Sequence, residues 1–277
     1  MSDIKQRILF VNSEIYPYLP ESDIANVGRY LPQGIQERKR EIRSFMPRFG
    51  CINERKNQLH EVIRLSGMNI IIADVDRPLI IKVASISSAR IQVYFIDNED
   101  YFRRKQPFCD ASGKPFEDND ERAIFFARGV LETVKKLRWA PDVIHCQGWI
   151  SHLLPAYLKK AYRDDPIFSS SKVVLSLYDD TPATPFHPEF AQKARFGGLT
   201  PEDLSRFESE LYRAWNPARA LGFEPGELQP LQSEHHKQYY CVKRRKAAKR
   251  PIYCSKQHAR ACKTADRQHF LPKPWQR

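Results

Sequence analysis

The sequence predicts an α/β fold: a Rossmann-like parallel sheet with flanking helices and an antiparallel strand insertion. Three observations carry this. The chain opens as strand, helix, strand, with apolar Ile8-Leu9-Phe10-Val11, a helical pattern after Ser22, and apolar Ile42 to Met46. Pro141-Asp142-Val143-Ile144-His145 then reads as a buried strand that ends in Cys146-Gln147-Gly148-Trp149 and leads into a helical run. Between residues 59 and 96 the apolar runs stand too close together for any helix to fit between them.

The elements follow in order. Asp23 or Ser22 caps a first helix running to about Arg38, with Ile24, Val27, Leu31 and Ile35 on one face. Pro32 falls inside this pattern and is expected to bend or divide the helix. Val62-Ile63, Ile70 to Ile72, Leu79 to Val83 and Ile91 to Ile96 are the strands of the insertion. A short helix starts over Asp97 to Phe102, and Phe108 to Glu117 is loop. The strongest helix is Asp118 to about Arg138. Asp118, Asn119 and Asp120 serve as caps, Ile124, Ala127, Leu131 and Val134 follow the 3.6 repeat, and Lys135, Lys136 and Arg138 lie at its negative end. Trp149 to about Ala161 is the next helix and Lys172 to Leu177 the last strand before the break. Short helices resume near Pro188 to Arg195 and at Pro201 to Arg206, with Thr200 as cap.

After about Phe207 the periodicity stops. The chain has 277 residues, 42% of them apolar, and a formal charge of +12. The charge is uneven: 15 Lys and Arg stand against 6 Asp and Glu from Phe207 onward, but 30 against 27 before it. This divides the chain into a near-neutral α/β body, residues 1–206, and a basic irregular tail, 207–277. Two readings of the tail remain open: a disordered charged segment, or frame slips in the gene that leave islands such as Pro251 to His258. Its block Lys243 to Arg250 lacks interleaved strand aromatics or a known module, so nucleic acid is not an expected partner. Cys241, Cys254, His258, Cys262 and His269 do not have common zinc spacings, so no metal and no cofactor is expected. The six scattered cysteines read as reduced thiols, and there is no run of 18 apolar residues. A cytoplasmic protein without a membrane span is expected.

Several stretches, in order over roughly residues 7 to 180, resemble the N-terminal domain of bacterial glycogen and starch synthases. They are Ile8 to Val11 with Glu14 and Pro17; Leu31-Pro32; Met46-Pro47-Arg48; Tyr94 to Glu99 with Tyr101-Phe102; Asp118-Asn119 with Glu121-Arg122, Phe125-Phe126 and Arg128; and Pro141 to His145 with Trp149. The resemblance implies one half of a two-domain GT-B fold. It also implies a retaining transfer of glucose from ADP-glucose, or a related sugar nucleotide, to an α-1,4-glucan, with most of the donor site on a second Rossmann domain.

The chain departs from that family where the chemistry lies. The family's Lys-Thr-Gly-Gly loop falls on Pro20-Glu21-Ser22-Asp23, its active-site histidine on Gln147, the following aspartate on Gly148, and its His-Asn on Tyr178-Asp179. Two carboxylates thus stand where a diphosphate would need glycine N–H groups and a lysine. Glutamine can hydrogen-bond a hydroxyl but cannot exchange protons. The 71-residue tail is too short for a second Rossmann domain, so a separate chain carrying the donor domain is the implied partner if transfer occurs.

The substrate-binding candidates are Glu14, Ser22, Asp23, His145, Gln147, Trp149 and Tyr178, with no catalytic residue assigned. Each has a plainer role beside it. His145 is either a cleft residue or a satisfied strand-end histidine. Trp149 is expected in the core, because it opens a helix packed on the sheet, and Glu14 and Asp97 read by default as solvated loop acids. The expected function is a glycogen or starch synthase-type domain that is inactive alone; the alternative is a glucan-binding or regulatory domain without turnover.

Overall fold

The computed structural model describes residues 6–176, 178, 180, 188–204, 228–232 and 238–242. Its ten strands are β1 (Arg7–Asn12), β2 (Glu41–Pro47), β3 (His60–Glu61), β4 (Met68–Ile72), β5 (Val75–Ile86), β6 (Ile91–Asp97), β7 (Val143–Gln147), β8 (Lys172–Ser176), β9 (Leu228–Gln232) and β10 (Gln238–Val242). The helices are α1 (Asp23–Glu37), α2 (Glu99–Phe102), α3 (Asn119–Lys136), α4 (Leu154–Lys160), α5 (Phe190–Lys193) and α6 (Pro201–Leu204). The first eight strands form one sheet in the order β3-β5-β6-β2-β1-β7-β8, with β4 paired to β5. Strands β6, β2, β1, β7 and β8 are mutually parallel, and β3, β4 and β5 add antiparallel. The expected antiparallel insertion is therefore β3 to β5. Ile91 to Ile96, expected within it, instead joins the parallel core in β6 beside β2, and Val62-Ile63, expected as a strand, lies just after β3 and outside any strand.

From β1 the chain first winds one way, to β2 and β6, and then the other, to β7 and β8. The winding reverses between β1 and β7, and in open α/β sheets ligands lie outside the carboxyl ends of strands at that point. Period-2 alternation puts Phe10, Asn12, His145 and Gln147 on one face of the sheet, and Leu9, Val11, Ile144 and Cys146 on the other. The first face meets α1, through Gln147 and the Ile24 carbonyl. The second meets α3, where Gly129 lets Ile96 and Leu79 approach the helix. The core is continuous across both layers, and Phe10, Phe45, Phe95, Phe125 and Phe126 are almost fully enclosed.

Several local expectations change. Helix α1 keeps Pro32 in its interior and runs through it. Its inward face is Ile24, Ala25, Gly28, Arg29 and Pro32, whereas Leu31 is 40% exposed. The reason is close approach: a Cβ at Gly28 would lie 2.3 Å from the Glu14 carbonyl oxygen, so the glycine face must turn inward. Asp118 occupies the cap position of α3 but makes no side-chain cap bond. Arg104 takes both its carboxylate oxygens instead. The run after Trp149 begins as a 3₁₀ turn, Trp149–Ser151, and α4 starts only at Leu154, with Pro155 in its first turn. Thr200 does cap α6, in a reciprocal pair with Asp203: each backbone N–H donates to the other residue's side chain.

In the segment expected to be irregular, β9 and β10 form a two-stranded antiparallel pair, with Gln232 opposite Gln238. The basic block Lys243 to Arg250 and the proposed frame-slip islands lie outside the described residues. Among the described residues no helix is long and apolar enough to cross a membrane, and no cluster of His, Cys, Asp and Glu has metal-binding geometry.

Candidate functional site

The carboxyl ends of β1 and β7 bring Asn12 opposite Gln147, beside the start of α1. Gln147 is fully shielded from solvent. Its side-chain amide donates to the Ile24 carbonyl at 3.1 Å, so its nitrogen is committed to the helix. Asn12 is equally buried and donates to the Phe45 carbonyl at 3.3 Å. The Gln147 Oε1, Asn12 Oδ1, Ser13 Oγ and Ser44 Oγ atoms have no hydrogen-bond partner among the described residues. This buried polar layer lies at the switch point, under α1.

Ser22 caps α1: its hydroxyl accepts from the Ala25 N–H at 2.9 Å and donates to Glu14 Oε2 at 2.6 Å. One early backbone donor of α1 is thus served by a serine side chain, and the serine by a carboxylate. Asp23 occupies the first turn and is exposed. Glu14 is half-buried and coupled to Ser22, rather than a solvated loop acid. A helix N-terminus favours anions through its free N–H groups. Here Glu14 and Asp23 already supply that negative charge.

At Gly148 the backbone has φ of +79°, and a Cβ would come within 1.9 Å of Ser13 Oγ. No side chain fits, so the aspartate that the family resemblance puts at this position is excluded by Ser13 and by backbone conformation together. The turn is tied on three sides. Ser13 N–H donates to the Gln147 carbonyl at 3.0 Å, Ser151 Oγ donates to the Gly148 carbonyl at 2.8 Å, and the Trp149 N–H donates to Asp180 Oδ2 at 2.9 Å.

The candidates therefore separate. Glu14, Ser22, Asp23 and Gln147 gather around the start of α1. His145 lies one strand repeat deeper, edge-on to Phe10 with ring centroids 5.5 Å apart, and its Nε2 is 2.8 Å from Ser176 Oγ. Burial pushes its pKa down to about 4, so it is a neutral strand histidine rather than a proton carrier. Trp149 is buried, with Phe108 edge-on to its ring at 5.0 Å, as expected of a core residue. Tyr178 follows β8 and is half-buried.

Asp97 departs most from expectation. It is 0% exposed and paired with Lys82 at 3.1 Å. Lys82 also meets Glu54 at 2.6 Å, and Glu54 meets Arg48. Burial raises the Asp97 carboxyl above its usual range, against the pull of Lys82 and Arg48. Sequence reasoning missed Asn12, Ser13, Gly28 and Asp180 as parts of this region. The available signal was position: two polar residues at the end of β1, and an acid soon after β8.

Comparison with known proteins agrees with this architecture. A family model described as the starch synthase catalytic domain matches residues 7–224, past the boundary expected near 206. The glycogen synthase of Chlorobium limicola is 38% identical over 225 residues, covering 80% of this chain and 44% of that protein. That of Chlorobium luteolum is 39% identical over 180 residues, covering 65% of this chain and 37% of that protein. The chain thus spans less than half the length of these relatives. The solved catalytic domain of starch synthase IV from Arabidopsis thaliana, bound to ADP and acarbose, superposes with a TM-score of 0.56. It is 16% identical, and the superposition covers 73% of this chain and 39% of that one. On the extent of the match and the parallel sheet that carries it, the chain belongs to the starch synthase catalytic domain family, as a glycogen and starch synthase-type domain with a GT-B-like fold.

Proposed function

We propose that this chain is the acceptor-side half of a glycogen synthase-type glucosyltransferase, a domain that holds α-1,4-glucan and does not transfer glucose from ADP-glucose by itself. The single observation against transfer is the acidic, serine-capped start of α1. Ser22 and Glu14 occupy the helix N-terminus, and Gln147 is fixed on the Ile24 carbonyl. Loss of the leaving diphosphate requires positive, preorganised donors, and such stabilisation is often the largest catalytic contribution. Nothing in Pro20-Glu21-Ser22-Asp23 supplies them. In this reading the donor domain is provided by a separate chain, and the pair works in the cytoplasm.

The glucan half of the reading is tested by co-sedimentation of the purified protein with glycogen. Saturable retention with a Kd on the order of millimolar is expected, as for a shallow hydroxyl-binding surface. A protein that stays in the supernatant at every glycogen concentration removes glucan from the proposal and leaves only the fold. The alternative, a regulatory domain without any transfer role, is favoured if no partner chain restores turnover to a protein that does bind glycogen.

A further inference from the structure

Trp149 begins a 3₁₀ turn whose own cap residue is Gly148, which has no side chain to offer. No substitution at 148 can supply one, because φ there is +79° and Ser13 Oγ fills the place of a Cβ. The first N–H of the turn is instead held from outside. Asp180, four residues beyond the end of β8, accepts it through Oδ2 at 2.9 Å. The same Oδ2 lies 3.3 Å from where a side chain at 148 would begin. The other two ties of the turn, from Ser13 and Ser151, come from β1 and from the turn itself. Asp180 ties it to the segment after β8, beyond the last ladder pair, Gln147 with Ser176.

We infer that Asp180 is the positioning residue of this crevice: a carboxylate supplied from β8 that fixes the Gln147-Gly148-Trp149 turn where the turn cannot cap itself. The bond is charge-assisted, from a backbone N–H to a carboxylate, and so stronger than a neutral pair. Fixing the turn fixes both its neighbours. Upstream, Gln147 stays seated on the Ile24 carbonyl; downstream, the Trp149 ring stays against Phe108. The carboxylate also places a negative charge at the turn itself, on the Trp149 N–H. The same residue that orders the turn therefore biases the crevice toward neutral hydroxylated ligands and away from phosphates. This last consequence rests on the glucan reading above; the positioning role does not.

The test compares Asp180→Ala, Asp180→Asn and a remote control, Asp203→Ala, in the full chain. Asp203 pairs with Lys160 at 2.7 Å on another surface. Hydrogen exchange of peptides spanning residues 147–153 reads the Trp149 amide directly. Asp180→Ala is expected to speed that amide about tenfold or more, the effect of losing one charge-assisted bond. Asp180→Asn keeps an acceptor oxygen, so it should rescue most of the protection, and it serves if the alanine variant fails to fold. Asp203→Ala should lower thermal stability without touching the Trp149 amide. Glycogen retention should weaken several-fold in Asp180→Ala and not in Asp203→Ala. Unchanged exchange of the Trp149 amide in both Asp180 variants overturns the inference. If the unaltered protein does not bind glycogen, the glucan reading fails, while the exchange measurement still decides the role of Asp180.

Discussion

Acid should unfold this domain earlier than its carboxylates alone require, because two histidines are buried in neutral form. His145 is held between Phe10 and Ser176, and His152 is 3% exposed beneath the turn after β7. Burial lowers their pKa values from 6.5 to about 4 and about 3. A base whose folded pKa is depressed binds its proton more readily in the unfolded chain. Its contribution is therefore complete above pH 6.5 and drains away as pH falls toward the folded value. Each histidine costs about 1.4 kcal/mol per pH unit across that window, or roughly 3 kcal/mol by pH 4. Two such losses rival the 5–15 kcal/mol total typical of a domain. Asp97 and Asp120 act in the opposite sense, because burial raises their pKa values and the folded state takes up their protons first. Their proton uptake offsets part of the fall that the histidines cause between pH 6.5 and 5. Urea titrations at pH 7, 6, 5 and 4 measure it directly. The slope should be clearly shallower in His145→Gln, which keeps a polar side chain beside Ser176 without an imidazole to protonate. A free energy of unfolding that is flat from pH 7 to pH 5, or a His145→Gln slope equal to that of the parent, would refute the reasoning.

Other perturbations have defined outcomes. Gly148→Ala should destabilise by about 3 kcal/mol, from left-handed backbone strain plus the collision with Ser13, and Ser13→Gly in the same chain should recover the collision part in a thermal melt. Lys193→Met leaves the fully buried Asp120 carboxylate without its cation and should cost about 3–5 kcal/mol in chemical denaturation, much of it regained on adding Asp120→Asn. A chain ending at Arg206 should keep a cooperative thermal transition, because Phe190, Ala194, Leu199 and Leu204 are already packed on the body; a molten or insoluble product would move the domain boundary.

The parallel strands were legible because strands buried on both faces read as apolar runs, unbroken in Ile8 to Val11 and interrupted only by His145 in Val143 to Cys146. Helix α3 was legible for the complementary reason, a long 3.6 repeat with charge at both ends. What the sequence hid depends on contacts between distant residues. The inward face of α1 follows Gly28 and its approach to Glu14, so the hydrophobic count misplaced Leu31. Asp118 looked like a cap until Arg104 claimed it. In the site, the departures at 147 and 148 were visible as residue types. Their consequence was not: Gln147 spends its amide on a helix 123 positions away, and Gly148 is fixed by Ser13. Asp180 carries no motif at all, since its role arises only because β8 lies beside β7.

The measurement closest to the central claim is incorporation of labelled glucose from ADP-glucose or UDP-glucose into glycogen by the purified 277-residue chain. Pro20-Glu21-Ser22-Asp23 offers neither lysine nor glycine, Ser22 caps α1 and donates to Glu14, and Gln147 cannot exchange a proton. Loss of one positioned catalytic group lowers rates by about 10² to 10⁴. The account predicts no incorporation above background with either donor. Steady incorporation that Gln147→Ala abolishes would contradict it.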